Sequence, residues 1–126
     1  MSSSNTLRIE NPTKEGWLEK KSRHLGRWRR RWFVLHGCKL YSFKSAGQGG
    51  VYEAPTEAID LRVFSSVKSS EDFTNRPHSF DVYSSEMRFS MVAESDSSKE
   101  DWIRAIGRAI VLSHSKDWQN DETYDL

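Results

Sequence analysis

The chain has 126 residues, which suits one domain with a core of its own. Its single cysteine, Cys38, excludes an internal disulfide and a cysteine-rich zinc site, and no apolar run approaches the ~20 residues of a membrane-spanning helix. The formal charge is only +1, from 19 Lys and Arg against 18 Asp and Glu, yet residues 20–44 hold nine of those cations and no acid, which leaves ten against eighteen elsewhere. The molecule is therefore strongly polarised, with one short segment suited to meet an anion.

Residues 1–13 are polar and close on Asn11-Pro12, so they are expected to form a flexible lead-in. The opening Met-Ser-Ser-Ser-Asn has neither the basic start nor the apolar run of a secretory leader, nor the glycine that myristoylation needs, and the C-terminus does not read as a prenylation box. Any membrane contact is then expected to be reversible and made by the folded surface. A single cysteine also fits a reducing cytosol.

Side-chain alternation predicts a strand over 16–21, with Leu18 and Lys20 on one face. A second strand follows over 28–36, with Arg29, Arg31, Phe33 and Leu35 together. A third covers 39–44, with Leu40, Ser42 and Lys44 together. The links 22–27 and 36–38 are short, so the three strands are antiparallel neighbours. That connectivity brings Lys20, Arg29, Arg31 and Lys44 to one edge of the sheet, with Lys21, Arg23 and Arg27 on the loop above. Forked Arg donors and mobile Lys charges at one mouth suit a compact polyanion carrying several phosphates. The plainer alternative is a solvated charged face, which would leave the mutual repulsion of these cations unrelieved.

The segment 45–50 carries three glycines in six residues and is expected to be a flexible loop, either flanking a ligand or simply connecting strands. Further strands are predicted over 58–63, with Ile59, Leu61 and Val63 inward, and over 64–69. Two more follow over 79–83, with Phe80 and Val82 inward, and 87–93, with Phe89 and Met91 inward. Residues 71–77 read as a polar loop. Ser97 and Glu100 then make a capping box, and Trp102, Ala105, Ile106, Ala109 and Ile110 recur at helical spacing, which predicts a helix over about 98–113. Gly107 either weakens that helix or permits a close approach to the sheet. The tail 114–126 is polar and acidic apart from Trp118 and Tyr124, and is expected to fray; Tyr124-Asp125-Leu126 has the form of a short C-terminal peptide ligand.

The expected fold is mainly β: a seven-stranded antiparallel, partly open barrel or sandwich capped by one C-terminal helix. Gly16-Trp17-Leu18, the run from Trp28 to Leu35 and the placement of Trp102 together resemble a pleckstrin homology (PH) domain over about residues 15–112. The division expected is a lead-in at 1–13, the domain at 14–113 and a tail at 114–126. The resemblance implies phosphoinositide head-group contacts from Lys20, Arg29 and Arg31, with Lys44 a further family-like position. It also implies a preference for 3-phosphorylated head groups, the 3,4,5-trisphosphate or the 3,4-bisphosphate. Ser42 stands where several members of that subset carry a phosphate-binding tyrosine, and its hydroxyl reaches less far.

Nothing points to catalysis, a cofactor or a metal. The four histidines, His24, His36, His78 and His114, show no metal-ligand spacing. The expected partner is phosphoinositide lipid in the anionic cytoplasmic leaflet, with Leu25 dipping into the interface and the protein held reversibly from the cytoplasm. The alternative is a protein-interaction module using the helix exterior or the strand edges. Nucleic acid is not expected, because Trp28 and Trp32 fall on the opposite strand face from Arg29 and Arg31 and cannot stack bases beside them.

Overall fold

The computed structural model describes residues 5–124, with side chains described to residue 115. Among the described residues, nine strands and two helices follow in order: β1 Thr6–Arg8, β2 Lys14–Lys21, β3 Trp28–His36, β4 Lys39–Phe43, β5 Val51–Glu53, β6 Glu57–Asp60, β7 Ser66–Ser69, α1 Glu71–Thr74, β8 Ser79–Tyr83, β9 Arg88–Val92 and α2 Asp96–Tyr124. Seven strands form one antiparallel sheet in the order β6-β4-β3-β2-β9-β8-β7. Helix α2 packs on β7, β8 and the turn after β6, which closes the open side of the curved sheet. The mainly β architecture with a terminal helix is the one the sequence predicts.

Apolar alternation builds the inner core. Leu18, Phe33, Leu35, Leu40, Phe80, Val82 and Met91 are essentially buried, and Trp102, Ile106 and Ile110 of α2 seal them from the side. Trp102 spans the sheet beside Gly16, where an added Cβ would lie 3.7 Å from the indole, and the Lys14 ammonium sits 5.0 Å above the ring. Gly107 is not there for close approach, because a Cβ would meet Val67 at 3.5 Å, an ordinary contact.

The structure differs from the sequence expectations at several places. The strand predicted over 58–63 ends at Asp60, and Leu61–Val63 forms a 3-10 turn. The Asp60 carboxylate accepts from the Arg62 backbone N–H at 3.0 Å and caps that turn. Leu61 stays buried while Val63 swings into solvent, so Val63 is not inward. The cap of α2 is Ser95 rather than Ser97: its hydroxyl accepts from the Ser98 N–H at 3.1 Å. The backbone of α2 continues through the segment read as a tail, to Tyr124; Asp125 and Leu126 lie outside the described residues, as do residues 1–4. Within the stretch read as a polar loop, α1 forms a single turn ended by Asn75 in the left-handed region.

The largest difference is a second core on the outer face of the sheet. Thr6–Arg8 is not loose lead-in; it pairs with β5 as a two-stranded sheet. Ile9, Val34, Phe43 and Tyr52 are buried together beneath it, flanked by Leu7, Trp32 and Tyr41. The glycine-rich segment makes this possible. Gln48 and Val51 exchange both backbone hydrogen bonds across Gly49 and Gly50, whose φ values of +59° and +79° define a tight hairpin turn of the kind glycine favours. The Gly50 carbonyl then accepts from the Ile9 N–H at 2.8 Å. A Cβ on Gly47 would lie 2.4 Å from two Tyr52 ring carbons and 2.8 Å from the Val51 carbonyl oxygen. Tyr52 is hard to displace, being stacked on Phe43 and hydrogen-bonded to Glu15. Gly47→Ala is therefore expected to lower stability by about 1–3 kcal/mol in denaturant unfolding.

Tyr52 donates to Glu15 Oε1 at 2.7 Å, and Trp32 Nε1 donates to the same oxygen at 3.1 Å. Burial, and then that carboxylate, push the Tyr52 phenol up from 10.0 to about 12. A raised folded value means that the stability it supplies is complete below pH 10 and is lost as pH climbs through about 12. An alkaline absorbance titration should show one late tyrosinate, absent in Tyr52→Phe.

Candidate functional site

Cross-strand register sets the site. Lys20 lies directly opposite Arg29, and Leu18 opposite Arg31. All four share the inner face of the sheet, and past the end of the apolar core that face carries cations. Lys20, Ser22, Arg29, Arg31, Ser42, Thr56 and Glu57 line an open cavity of about 140 Å³ at this edge. Like charges facing each other across a ladder are unfavourable, so the arrangement carries a cost that a bound anion relieves.

The Arg29-Arg30-Arg31 run splits as strand alternation requires. Arg30 points outward, 4.2 Å above the Trp17 ring, and meets Glu94 at 3.6 Å. Arg29 and Arg31 point into the cavity, and among the described residues neither pairs with a carboxylate; Arg31 donates to the Arg30 carbonyl at 3.0 Å. Trp28 and Trp32 take the other face, Trp28 under the Arg76 guanidinium and Trp32 in the outer core.

Lys20 is the most enclosed cation of the group, its side chain 10 % exposed. Its ammonium lies 3.1 Å from Glu57 Oε1, 3.4 Å from the Lys21 carbonyl and 4.7 Å from the Phe89 ring centroid. Glu57 comes from outside the basic stretch, on the first residue of β6, opposite Ser42. Beside it the Thr56 N–H donates to the Ser42 carbonyl at 2.7 Å, and the two hydroxyls share a 2.7 Å hydrogen bond. The Ser42 hydroxyl is thus already engaged.

The structure separates the other predicted positions. Lys44 is exposed, one residue past the last paired residue of β4, and does not line the cavity. Arg27 is exposed at the loop's end; its carbonyl accepts from the Ser22 N–H. Lys21 and Arg23 line a different, larger cavity of about 530 Å³, with Ser22, Gly26, Phe73, Glu86, Met87, Arg88 and Ser90. Alternation along β2 explains this, since Lys21 must point opposite to Lys20. Leu25 is 61 % exposed at the loop tip, held there by Leu25 and Arg27 N–H donation to the Ser22 hydroxyl and by Gly26 at φ +66°.

Two features escaped the sequence. Glu57 is an isolated acid with no pattern to mark it. Phe73, 67 % exposed on α1, lines the cavity shared by Lys21 and Arg23, within a stretch whose composition reads as polar. A further cluster joins Glu71, His78 and Asp96, whose ligand atoms all lie within 4.8 Å of one another. Lys99, almost fully buried, already donates to Glu71 at 3.0 Å, and His78 contributes its N–H to Glu71 and its Nδ1 to Asp96. This clasp fastens the β7–β8 loop to the start of α2. Hydrogen bonding from Lys99 lowers the Glu71 carboxyl, and that from His78 lowers Asp96.

The PH domain family model matches residues 12–111, and the chain belongs to the PH domain family. It is 37 % identical over 116 residues to pleckstrin homology domain-containing protein 1 of Arabidopsis thaliana, covering 91 % of this chain and 79 % of that one. A PH domain-containing protein of Dictyostelium discoideum is 40 % identical over 96 residues, covering 75 % of this chain and a fifth (20 %) of the relative. Among solved structures, the C-terminal PH domain of pleckstrin in complex with D-myo-Ins(1,2,3,4,5)P5 superposes with a TM-score of 0.62 at 26 % identity, covering 78 % of this chain and 97 % of that one. Such a domain is a lipid- or protein-binding module.

Proposed function

We propose that this domain binds phosphoinositide head groups, with a preference for 3-phosphorylated ones, and so recruits the protein reversibly to an anionic cytoplasmic leaflet. The observation that carries this is the shared cavity into which Arg29 and Arg31 of β3 and Lys20 of β2 all project. Two guanidiniums without carboxylate partners among the described residues offer forked, charge-assisted donors to phosphate oxygens. The inositol phosphate bound by the pleckstrin relative supports the same ligand chemistry. Lys44, Arg27, Lys21 and Arg23 lie outside the cavity lining and add long-range attraction, at ~1 kcal/mol for each cation near the surface. Leu25, exposed at the loop tip, supplies the apolar contact. Residues 14–113 form the binding unit.

Calorimetric titration with soluble inositol phosphates differing only at the 3-position, at physiological salt, tests this. Tighter binding of the 3-phosphorylated member supports the full proposal, and equal binding removes the preference alone. Binding of neither, or binding unchanged in Arg31→Ala, overturns it in favour of a protein partner. Val111 and Leu112, 63 % and 48 % exposed on α2, are the surface such a partner would first be sought on.

A further inference from the structure

The sequence presents the mouth as purely basic, but the fold delivers a carboxylate to its most enclosed cation. Glu57 Oε1 takes the Lys20 ammonium at 3.1 Å inside the same cavity in which Arg29 and Arg31 meet no carboxylate among the described residues. The backbone of β6 pairs Glu57 with Ser42, and Thr56 is tied to Ser42 three times, by its N–H and twice by its hydroxyl. The carboxylate is thus delivered by a fixed strand, not a wandering loop. Its side chain is 34 % exposed, against 10 % for Lys20, so the carboxylate has room to leave while the ammonium does not.

We propose that Glu57 is a resident substitute for one phosphate of the ligand. It fills the Lys20 subsite in the free domain, so that head groups are held first through Arg29 and Arg31. A phosphate reaching Lys20 must expel the carboxylate and then tolerate its charge nearby, so that phosphate adds little net affinity. The wild-type site is consequently indifferent to one ring phosphate, and Glu57 sets which one. This rests on the phosphoinositide reading of the cavity.

The test is a double-mutant cycle of Glu57→Gln with Lys20→Met, which keeps an unbranched side chain of similar length while removing the charge. The probe is inositol 1,3,4,5-tetrakisphosphate, titrated by calorimetry at 0.15 M salt, with thermal melts to verify folding. The expected result is that Glu57→Gln tightens binding at least fivefold. Lys20→Met should then cost at least ten times more affinity in the Glu57→Gln background than in the wild type. Binding that appears only in Glu57→Gln overturns the inference together with the reading it rests on, since the wild-type domain must itself bind. A purely long-range charge effect makes the two substitutions additive, and equal losses in both backgrounds overturn the inference while leaving the binding site intact. No binding in wild type and Glu57→Gln alike, or binding indifferent to Arg29 and Arg31, removes the underlying reading and the inference with it.

Discussion

Replacing Arg29 and Arg31 together by glutamine is expected to lower affinity for a phosphorylated inositol by about a hundredfold or more, with no loss of folded stability. Each guanidinium supplies charge-assisted hydrogen bonds worth ~1.5–3 kcal/mol, and two such losses exceed two decades. The fold should tolerate the change because both side chains extend past the apolar core into an open cavity, and Arg29 lies opposite another cation, Lys20. Removing one member of a like-charged pair relieves repulsion, so the melting temperature should hold or rise. Replacing Arg30 is the control: it faces outward onto Trp17 and Glu94, and its glutamine variant should bind nearly as the wild type does. Liposome sedimentation and calorimetry measure both variants. Equal loss in the Arg30 and Arg29/Arg31 variants would mean that bulk charge, not the cavity, governs binding.

Trp102→Ala is expected to have the largest effect on stability, about 3–5 kcal/mol. The indole is 1 % exposed and bridges α2 to the start of β2, beside Gly16. Its removal opens a cavity that neither the helix nor the sheet can collapse into, because Ile106 and Ile110 still hold α2 in place. Urea unfolding at constant slope gives the number. A loss below about 1 kcal/mol would show that α2 is a loosely docked appendage.

The inner half of this fold follows from its alternation pattern. Leu18, Phe33, Leu35, Leu40, Phe80, Val82 and Met91 sit at period-two positions, and Trp102, Ile106 and Ile110 at helical ones, so local periodicity and global burial agree. The same parity aims Arg29 and Arg31 into the cavity, and the short 22–27 link places Lys20 beside them. The outer half is hidden because its members are far apart in the chain. Ile9, Val34, Phe43 and Tyr52 form no periodic run, and the glycines that let the hairpin pass close to Ile9 look, as composition, like a flexible tether. Charge counting fails for a related reason. It treats residues 20–44 as one site, whereas pleating sends Lys21 to the opposite face from Lys20, and the tertiary fold imports Glu57 from elsewhere. The break at Asp60 lies beyond periodicity as well, since Ile59, Leu61 and Val63 continue the strand pattern until a capping carboxylate ends it.

The two apolar layers also make the molecule optically divisible. Trp17 and Trp32 stand edge to face, 5.3 Å between ring centroids at 79°, on the outer side, while Trp102 is enclosed on the inner side. Such an indole pair couples its electronic transitions and yields a paired positive and negative band in far-ultraviolet circular dichroism, whereas a solitary enclosed indole reports through blue-shifted emission. Heating or denaturant can therefore be followed on the outer side by the far-ultraviolet couplet and on the inner side by the blue-shifted part of the emission, to which Trp28 and Trp118 add their own background, without attaching any dye.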